Sequence, residues 1–390
     1  MQTVDVLIIG GGAAGLFCAW ECGQRGRKTL VLDHSKKLAR KVRISGGGKC
    51  NFTNMDISHE NYHCENPHFV KSALARFSQW EMISLVSEAG INYEERDHGR
   101  LFFTTSSMDL VHLLENNCRQ NGVEFSLGEQ ITSITKKDDL FTVKTDQSTI
   151  SASSVVIATG GPSWPKAGAT DFGQNIGKQF GLKVLPMRPA LVPLTAKGRD
   201  LKRCNGLTGN SQTVTISAGG RSFTDQLLFT HRGLSGPAAL QGSLFMKTKE
   251  PLVINLLPEI NFQNWIEENR SSNTLTRNLL GRILPKKLPA LFFPEKLMEA
   301  PFCELSNDDI QYIEKELTHW EFTPAGTEGM AKAEVAVGGV DTNGISSKTM
   351  EAREVSGLYF IGEVLDVAGM LGGYNLHWAW ASGHAAGQFA

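Results

Sequence analysis

Residues 4–33 constrain the fold of this chain more than any other stretch, because apolar runs alternate there with glycine turns. Residues 4–9 form a nearly continuous apolar run, and the segment Gly10-Gly11-Gly12-Ala13-Ala14-Gly15 follows at once. Residues 16–24 then have a helical composition, and a second apolar run, 28–32, leads into Asp33. The order of strand, glycine turn, helix, strand and acid predicts a βαβ unit of a parallel sheet.

Three spaced glycines have distinct expected roles in this unit. Gly10 permits a tight turn, Gly12 lets a pyrophosphate approach the backbone, and Gly15 lets the helix pack closely on the sheet. The helix N-terminus adds N–H donors and a partial positive charge for phosphates. Asp33 follows Gly15 by eighteen residues, where a carboxylate accepts hydrogen bonds from ribose hydroxyls. The stretch therefore predicts a dinucleotide site.

Length and charge narrow the class of protein. A chain of 390 residues is too long for one typical core, so we expect two or three domains. The formal net charge of −1 excludes a chain-wide electrostatic footprint for nucleic acid, although a local basic face stays open. No apolar run approaches the roughly twenty residues that span a bilayer. The N-terminus also lacks the basic region of a signal peptide.

The cysteines indicate the redox environment of the chain. There are seven, an odd number, and no two of them have the Cys-x-x-Cys spacing. We therefore expect reduced thiols, a cytoplasmic protein, no disulfide framework and no metal site.

The pattern of predicted strands, turns and helices changes near residue 186, and the earlier pattern returns near residue 326. Residues 189–325 combine alternating strand patterns with proline-punctuated turns and a helical segment around 261–320. After residue 325, strand-like runs and a final helical pattern resemble those of the first domain again. We predict an α/β fold with a Rossmann-like, glutathione reductase-like FAD-binding domain of residues 1–188 and 326–390. Residues 189–325 would form an inserted substrate domain, β-rich with a helical segment.

Two later strand ends favour FAD over NAD as the dinucleotide. One apolar run ends in Ala158-Thr159-Gly160-Gly161, a sequence common in FAD proteins where the chain passes the flavin nucleotide. Another ends at Gly362-Glu363, with Asp366 close behind. Flavoproteins of this build often place a glycine and an acid there, against the ribityl chain and the phosphates. The chain has one glycine fingerprint, so NAD(P)H is expected only as a transient reductant over the flavin.

Three blocks of sequence carry a resemblance to a known family. Residues 45–54 read S-G-G-G-K-C-N-F-T-N, residues 229–237 read F-T-H-R-G-L-S-G-P, and residues 362–380 contain G-E-V-L-D and G-G-Y-N-L before a tryptophan-rich helix. The chain resembles the BaiN/RdsA family of NAD(P)/FAD-dependent oxidoreductases, bacterial flavoproteins of the aminoacetone oxidase-like type. It departs from the family pattern at Lys49, usually arginine, and at Phe103, usually proline. Lysine keeps the charge but loses the bidentate fork of arginine.

The resemblance implies hydride transfer from reduced flavin to an activated C=C bond. Family members are linked to reduction of a uridine to dihydrouridine in large-subunit ribosomal RNA, and to reduction of steroid-like bile acid intermediates. We take the uridine of ribosomal RNA as the leading substrate and a small hydrophobic enone as the alternative. A non-catalytic flavin-binding redox sensor is the alternative from another class.

The expected FAD site is formed by several glycine-containing segments of the first domain. The first glycine turn and Asp33 are assigned to the pyrophosphate and the adenosine ribose, and the backbone of Ile131 to the adenine. Lys41 and the 46–51 loop are assigned to the phosphates and the flavin, and Asp366 and the 372–376 loop to the ribityl chain and isoalloxazine. The full set is Gly10, Gly12, Ala13, Ala14, Gly15, Asp33, His34, Lys41, Gly46, Gly47, Gly48, Cys50, Asn51, Ile131, Ala158, Thr159, Gly160, Gly362, Glu363, Asp366, Gly373, Tyr374, Asn375 and Leu376.

Reduction of the double bond also needs a proton donor. Cys50 is the first candidate, because cationic surroundings at Lys49 would lower the pKa of its thiol. Tyr374 and His377 are the further candidates. Packed, non-catalytic roles are the alternatives for Cys50 and His377.

Basic residues supply candidate contacts to ribosomal RNA. They fall near the expected cofactor site and in the inserted domain, and ordinary solvated surface is the alternative interpretation. The residues are Arg40, Lys41, Arg43, Arg277, Arg282, Lys286 and Lys287.

Overall fold

The computed structural model describes residues 1–247 and 250–390. The chain divides into two compact units: the first contains Met1–Pro189 and Glu334–Ala390, and the second contains Ala190–Ala333. The predicted return to the first unit at residue 326 was too early. Gly326–Thr327 forms a strand that pairs with Leu194 and Thr195 in the sheet of the second unit, so the insertion continues to residue 333.

The first part of the first unit contains eleven strands and six helices among the described residues. The strands are β1 (Gln2–Ile9), β2 (Thr29–Asp33), β3 (Asn51–Asn54), β4 (Tyr62–His63), β5 (Tyr93–Arg96), β6 (Arg100–Phe103), β7 (Glu124–Leu127), β8 (Ile131–Lys137), β9 (Leu140–Thr145), β10 (Thr149–Ile157) and β11 (Val184–Ala190). The helices are α1 (Ala13–Gln24), α2 (Arg40–Ile44), α3 (Lys71–Arg76), α4 (Gln79–Glu88), α5 (Ser107–Gln120) and α6 (Phe172–Gln179).

The second unit follows, and the chain then returns to the first. The elements of the second unit are β12 (Leu194–Thr195), α7 (Gly198–Gly206), β13 (Ser211–Ala218), β14 (Arg221–Thr230), β15 (Gly233–Ser235), α8 (Gly236–Phe245), β16 (Leu252–Asn255), α9 (Phe262–Asn269), α10 (Thr276–Leu280), α11 (Leu288–Phe292), α12 (Glu295–Met298), α13 (Asn307–Thr318), β17 (Trp320–Phe322) and β18 (Gly326–Thr327). The return to the first unit adds β19 (Val335–Val340), β20 (Leu358–Phe360), β21 (Ala368–Gly369) and α14 (Tyr374–Gly387).

The main sheet of the first unit has the order β7-β2-β1-β10-β9-β8, with β20 also paired to β10. The strands β7, β2, β1, β10 and β20 are parallel, whereas β9 and β8 form an antiparallel hairpin. The apolar run of β1 explains its central place, because Val6, Leu7 and Ile8 are fully buried. Smaller sheets contain β3-β6-β5, β4-β21 and β11-β19.

Helix α14 packs closely on α1 because both helices carry small residues at the contact. A Cβ atom on Gly383 would lie 2.8 Å from the Ala14 carbonyl oxygen, and one on Gly387 would lie 2.4 Å from the Cβ of Glu21. The buried Glu21 carboxylate also accepts a hydrogen bond from Gln388 and pairs with His384 at 2.8 Å. This contact fixes the start of α1, where the glycine turn lies.

The second unit is built on a sheet of order β17-β16-β13-β14-β15-β12-β18, in which every pairing is antiparallel. Its helices include α9–α13, which occupy the segment predicted to be helical. In both units, across residues 1–247 and 250–390, no helix is long and apolar enough to cross a membrane.

Candidate functional site

The carboxyl ends of four parallel strands meet at one edge of the main sheet. Three backbone hydrogen bonds join them: Gly10 N donates to Leu32 O at 2.8 Å, Ala158 N to Ile9 O at 2.8 Å, and Ile361 N to Ile157 O at 3.1 Å. The sheet therefore brings together four segments that are far apart in the sequence: the glycine turn, the end of β2, the 158–160 segment and the 362–363 turn. Such an edge is where open α/β sheets bind ligands.

The glycine turn leaves space at one position and none at two others. A Cβ atom on Gly10 would lie 2.5 Å from the Ala158 carbonyl oxygen, and one on Gly15 would lie 1.9 Å from the Gly10 carbonyl oxygen. A Cβ on Gly12 would meet no atom within 4 Å, and its φ of −85° suits any residue. The first-turn N–H groups of α1, including those of Ala13 and Ala14, have no partner within the helix by geometry. An anion could therefore approach the helix N-terminus across Gly12.

Asp33 lies beside the glycine turn at the end of β2. Its carboxylate accepts hydrogen bonds from Gly11 N and Ser35 N, both at 2.7 Å, and His34 Nδ1 is 3.6 Å away. Gly128 N donates to the Asp33 carbonyl oxygen at 2.8 Å, so the segment that leads into Ile131 runs along the same strand end. The residues predicted for the adenosine half are thus neighbours.

The 158–160 segment contains an orphaned polar atom. The hydroxyl oxygen of Thr159 is buried and has no hydrogen-bond partner among the described residues. Gln174, which sequence reasoning did not single out, donates to the Gly160 carbonyl oxygen at 3.3 Å. Gly160 has open space beside it, since a Cβ there would meet nothing within 4 Å. The Thr159 hydroxyl packs on α6, where a Cβ on Gly173 would lie 2.3 Å from it, so the open side of this segment is at Gly160.

The 46–48 loop is a turn that only glycine adopts readily. Gly46, Gly47 and Gly48 all have positive φ, at 55°, 67° and 87°. A Cβ on Gly47 or Gly48 would meet no atom within 4 Å, whereas one on Gly46 would lie 2.9 Å from the Phe102 ring. The loop therefore presents bare backbone on one side and packs on the other.

This loop and the 372–376 segment are joined by asparagine side chains. With its amide oriented to satisfy both of its polar atoms, Asn51 accepts from Gly373 N at 3.0 Å and donates to the carbonyl oxygens of Thr53 and Leu101. Asn54 donates to the Gly372 carbonyl oxygen at 2.8 Å. Asn375 closes its own turn, since its amide pairs with the Gly369 backbone in both directions at 2.8 Å. Two of the three sequence blocks that carry the family resemblance, 45–54 and 362–380, are therefore in direct contact, and partly buried Leu376 lies in the first turn of α14.

Lys41 and Glu363 were predicted to face the cofactor separately, but they bind each other. Lys41 Nζ donates to Glu363 Oε2 and to the Ser163 hydroxyl, both at 2.7 Å. Ser163 and Ala336 N in turn donate to Glu363 Oε1. Ser163 is a site residue that the sequence did not reveal, although it lies just after the 158–161 run. The nearby Gly362 comes so close to α1 that its Cβ would lie 3.1 Å from that of Ala14.

Asp366 is a buried structural carboxylate rather than an open acceptor. Its oxygens accept from Glu65 N at 2.9 Å and from Gly338 N at 3.2 Å, and the residue is 2% exposed. Burial raises the pKa of this carboxyl group above its usual value. The predicted contact to a ribityl chain is replaced by a role in holding two backbone segments together.

The predicted activation of Cys50 by Lys49 was wrong. Lys49 Nζ donates to the Thr104 carbonyl oxygen at 2.9 Å, and the Cys50 thiol is fully buried. Burial raises the pKa of Cys50 to about 12, with a hydrogen bond to Ser45 opposing it. The thiol is therefore a packed group with little acidity.

His377 is a core histidine with both ring nitrogens engaged. Nδ1 lies 2.9 Å from the Thr53 hydroxyl, and Nε2 lies 3.1 Å from the Phe77 carbonyl oxygen. Burial lowers the pKa of His377 to about 4, so the ring is neutral near pH 7. Nothing exposed remains to donate a proton to a substrate.

The buried neutral His377 makes stability depend on pH. An unfolded histidine has a pKa near 6.5, so the unfolded chain binds more protons than the folded chain between pH 6.5 and about 4. We expect the free energy of unfolding to fall as the pH drops through this window, and to fall less steeply in His377→Gln. Denaturant unfolding at a series of pH values measures both slopes, and equal slopes would contradict this role of His377.

Tyr374 differs from the other two proton-donor candidates. It opens α14, and the residue is 7% exposed. Burial raises the pKa of Tyr374 to about 12; the Asp56 charge adds to the rise and the Arg100 charge opposes it. The phenol therefore keeps its proton at neutral pH, and a guanidinium lies in its surroundings.

The basic residues near the glycine turn are committed to contacts within the protein. Arg40 donates to the Lys166 carbonyl oxygen and Arg43 to that of Leu38, both at 2.8 Å. In the second unit, Arg277 pairs with Glu299. Arg277 is exposed despite this pair, and Arg282, Lys286 and Lys287 are exposed as well.

Comparisons with known proteins extend over the whole chain. A family model described as the HI0933-like protein Rossmann domain matches residues 4–389. Two relatives named Ribosomal RNA dihydrouridine synthase, from Haemophilus influenzae and Escherichia coli, are each 45% identical over 392 residues. These alignments cover 98% and 100% of this chain and 98% of each relative.

Two further proteins are similar at greater distance. A 3-dehydro-bile acid delta(4,6)-reductase of Clostridium scindens is 27% identical over 405 residues, which cover 98% of both chains. Among solved structures, the 3-ketosteroid-delta4-(5alpha)-dehydrogenase of Rhodococcus jostii RHA1 superposes with a TM-score of 0.51 at 11% identity, covering 99% of this chain and 97% of that one. At this identity the likeness shows a shared fold.

Proposed function

The chain belongs to the HI0933-like family of Rossmann-domain proteins, and we propose that it is an FAD-dependent synthase of dihydrouridine in large-subunit ribosomal RNA. One observation carries the proposal: end-to-end identity of 45% with two proteins named Ribosomal RNA dihydrouridine synthase. It agrees with the family predicted from the sequence blocks. An RNA substrate of this kind also implies a cytoplasmic protein.

We assign FAD binding to the first unit and a part of the substrate contacts to the second. The open backbone at Gly12 and the α1 N-terminus would hold the pyrophosphate, Asp33 the ribose, and the backbone near Ile131 the adenine. The open space beside Gly12 and Gly160 supports this assignment, because a Cβ at either position would meet no protein atom within 4 Å. The bare backbone at Gly47 and Gly48 would lie against the flavin side. NAD(P)H is proposed as a transient reductant.

Reduction of the uracil C5=C6 bond adds a hydride, which a reduced flavin supplies, and a proton, which the protein supplies. We propose the Tyr374 hydroxyl as the proton donor. Cys50 and His377 are both 0% exposed, and both ring nitrogens of His377 are engaged, whereas Tyr374 at the start of α14 is 7% exposed. Tyr374 holds its proton at neutral pH, and the positive charge of Arg100 stabilises the phenolate left behind.

Tyr374→Phe is expected to slow dihydrouridine formation about a hundredfold, because it removes the proton donor and leaves the ring. Flavin content and the rate of flavin reduction by NADPH should stay unchanged, since neither needs this hydroxyl. Single-turnover oxidation of the reduced flavin by RNA measures the step. Cys50→Ala is the matched control, with a rate close to wild type. Slow flavin oxidation in Cys50→Ala together with a wild-type rate in Tyr374→Phe would assign the proton donor to Cys50 instead of Tyr374.

The runner-up function is reduction of a small hydrophobic enone by the same flavin chemistry. The relative named as a bile acid reductase supports it, but at 27% identity rather than 45%. A non-catalytic redox sensor would bind FAD without turning over any acceptor. RNA reduction is therefore the better-supported proposal.

Purified protein loaded with FAD tests the proposal directly. It is incubated with NADPH and with large-subunit ribosomal RNA from cells that lack the gene. Nuclease digestion and mass spectrometry should find one uridine heavier by two hydrogen atoms. No modified uridine, together with rapid reduction of a steroid enone, would overturn the RNA substrate in favour of the runner-up.

A further inference from the structure

A polar cleft lies in the first unit. Its lining residues belong neither to the glycine turn nor to the 46–48 loop. It has a volume of about 160 Å³ and lies between the turn before α3 and the loop between β19 and β20. Its apolar lining is formed by Phe69 and Ile345, which are buried. The polar lining consists of Asn66, His68, Thr342, Asn343, Ser347 and Arg353. We refer to these eight residues as the Arg353 cleft.

The side chains of the Arg353 cleft suit an anion. The guanidinium of Arg353 is exposed, and its backbone is anchored by a 2.9 Å hydrogen bond from Arg353 N to the Gly344 carbonyl oxygen. The Asn66 amide nitrogen donates to Asn343 Oδ1 at 3.4 Å. This contact uses the amide oxygen of Asn343 and does not use its amide nitrogen, which can donate to a ligand. Across residues 1–247 and 250–390, the cleft lining includes no carboxylate. Guanidinium, amide and hydroxyl donors are the groups that contact phosphate oxygens.

The surroundings of the cleft add positive charge. Lys71 N donates to the His68 carbonyl oxygen at 3.3 Å, so α3 starts at the cleft wall with an exposed lysine. Arg76, at the end of α3, donates to the carbonyl oxygen of Lys348, another exposed lysine in the loop that forms the opposite wall.

Four acids lie within two residues of the cleft lining in sequence, namely Glu65, Asp341, Glu351 and Glu354. Asp341, beside Thr342, is neutralised by Lys183 at 2.9 Å and accepts from Asn343 N. Glu354 follows Arg353 and is exposed. Glu65 lies 3.9 Å from the same Lys183, and Glu351 accepts from Gly357 N at 2.7 Å. None of the four acids lines the cleft, and the lining carries the positive charge of Arg353.

We propose that the Arg353 cleft binds a backbone phosphate of the RNA substrate. This inference rests on the proposed function, since it takes that RNA as the ligand. An exposed arginine flanked by lysines on two walls fits a chain of phosphates better than one free phosphate. Contacts of this kind set the position of an RNA without reading its sequence.

Arg353→Gln tests the proposal, with Lys137→Gln as a control that removes one exposed charge from the β8–β9 hairpin. Fluorescence anisotropy follows binding of a labelled ribosomal RNA fragment by the FAD-loaded protein, between about 50 and 200 mM salt. Loss of one phosphate contact should reduce the slope of log affinity against log salt by about one, and affinity about tenfold at 0.1 M salt. The control should keep the wild-type slope. FAD content and kcat at saturating RNA should not change.

A wild-type slope in Arg353→Gln would overturn the proposal. A raised KM for NADPH with unchanged RNA affinity would assign the cleft to a phosphate of the reductant instead, and would overturn it equally. Wild-type protein that binds the fragment but forms no dihydrouridine would contradict the proposed function alone. The two failures are therefore distinguishable.

Discussion

Gly12→Val is expected to abolish FAD binding while the protein stays folded. The backbone of Gly12 has φ of −85°, which valine adopts without strain, and a Cβ there would contact no protein atom within 4 Å. The valine side chain would instead fill the space through which a pyrophosphate reaches the α1 N-terminus. Purified Gly12→Val should lack the yellow flavin absorbance and should not recover it on incubation with excess FAD.

Gly15→Val is the informative control for this experiment. Its Cβ would lie 1.9 Å from the Gly10 carbonyl oxygen, so the variant should fail to fold rather than only lose the cofactor. Circular dichroism and thermal melting separate the two outcomes. A Gly12→Val protein that keeps a full complement of FAD would contradict the assigned site, and one that is unfolded would contradict the open space seen at Gly12.

Arg203→Met is expected to destabilise the second unit by about 3 to 5 kcal/mol. Arg203 is 1% exposed, pairs with Glu316 and Asp200, and donates to the Phe292 carbonyl oxygen at 3.2 Å. Its guanidinium also lies 4.0 Å from the centre of the Phe292 ring. Removing the cation leaves the partly buried Glu316 with the exposed Arg199 as its cation and Asp200 with the Trp320 indole N–H, so both carboxylates lose their buried counter-charge. Loss of one partner of a buried ion pair is costly.

Arg199→Met provides a matched comparison, because Arg199 pairs with the same Glu316 from an exposed position. The distance from Arg199 Nη2 to Glu316 Oε1 is 3.2 Å, and the Arg199 side chain is 62% exposed. Its removal should cost less than about 1 kcal/mol. Urea unfolding, followed by tryptophan fluorescence because Trp320 belongs to the same cluster, measures both variants. Equal losses in the two variants would show that burial of Arg203 is not the source of its effect.

The parts of the site that depend on local sequence could be predicted. The order of strand, glycine turn, helix and acid determines the βαβ unit, and the tight contacts at Gly10 and Gly15 are those that a close-packed turn needs. The parallel strands followed from apolar runs that are buried on both faces. Such features are encoded within about thirty residues, so no knowledge of distant partners is required.

The features that were missed depend on partners far away in the sequence. Cys50 looked activated because Lys49 is its neighbour, but tertiary packing buries the thiol and directs the lysine to Thr104. Lys41 and Glu363 neutralise each other across more than three hundred residues, with Ser163 between them. The end of the insertion was misplaced because β18 is only two residues long and pairs with β12. Periodicity carries no signal for any of these contacts.

The central claim is best tested by mass spectrometry of large-subunit ribosomal RNA from cells with and without the gene. Deletion should remove one dihydrouridine, the wild-type gene should restore it, and the Gly12→Val gene should not, because the cofactor is lost. Ribosomal RNA that keeps its full set of dihydrouridines after deletion would contradict the proposed function, while leaving the family and the fold as they stand.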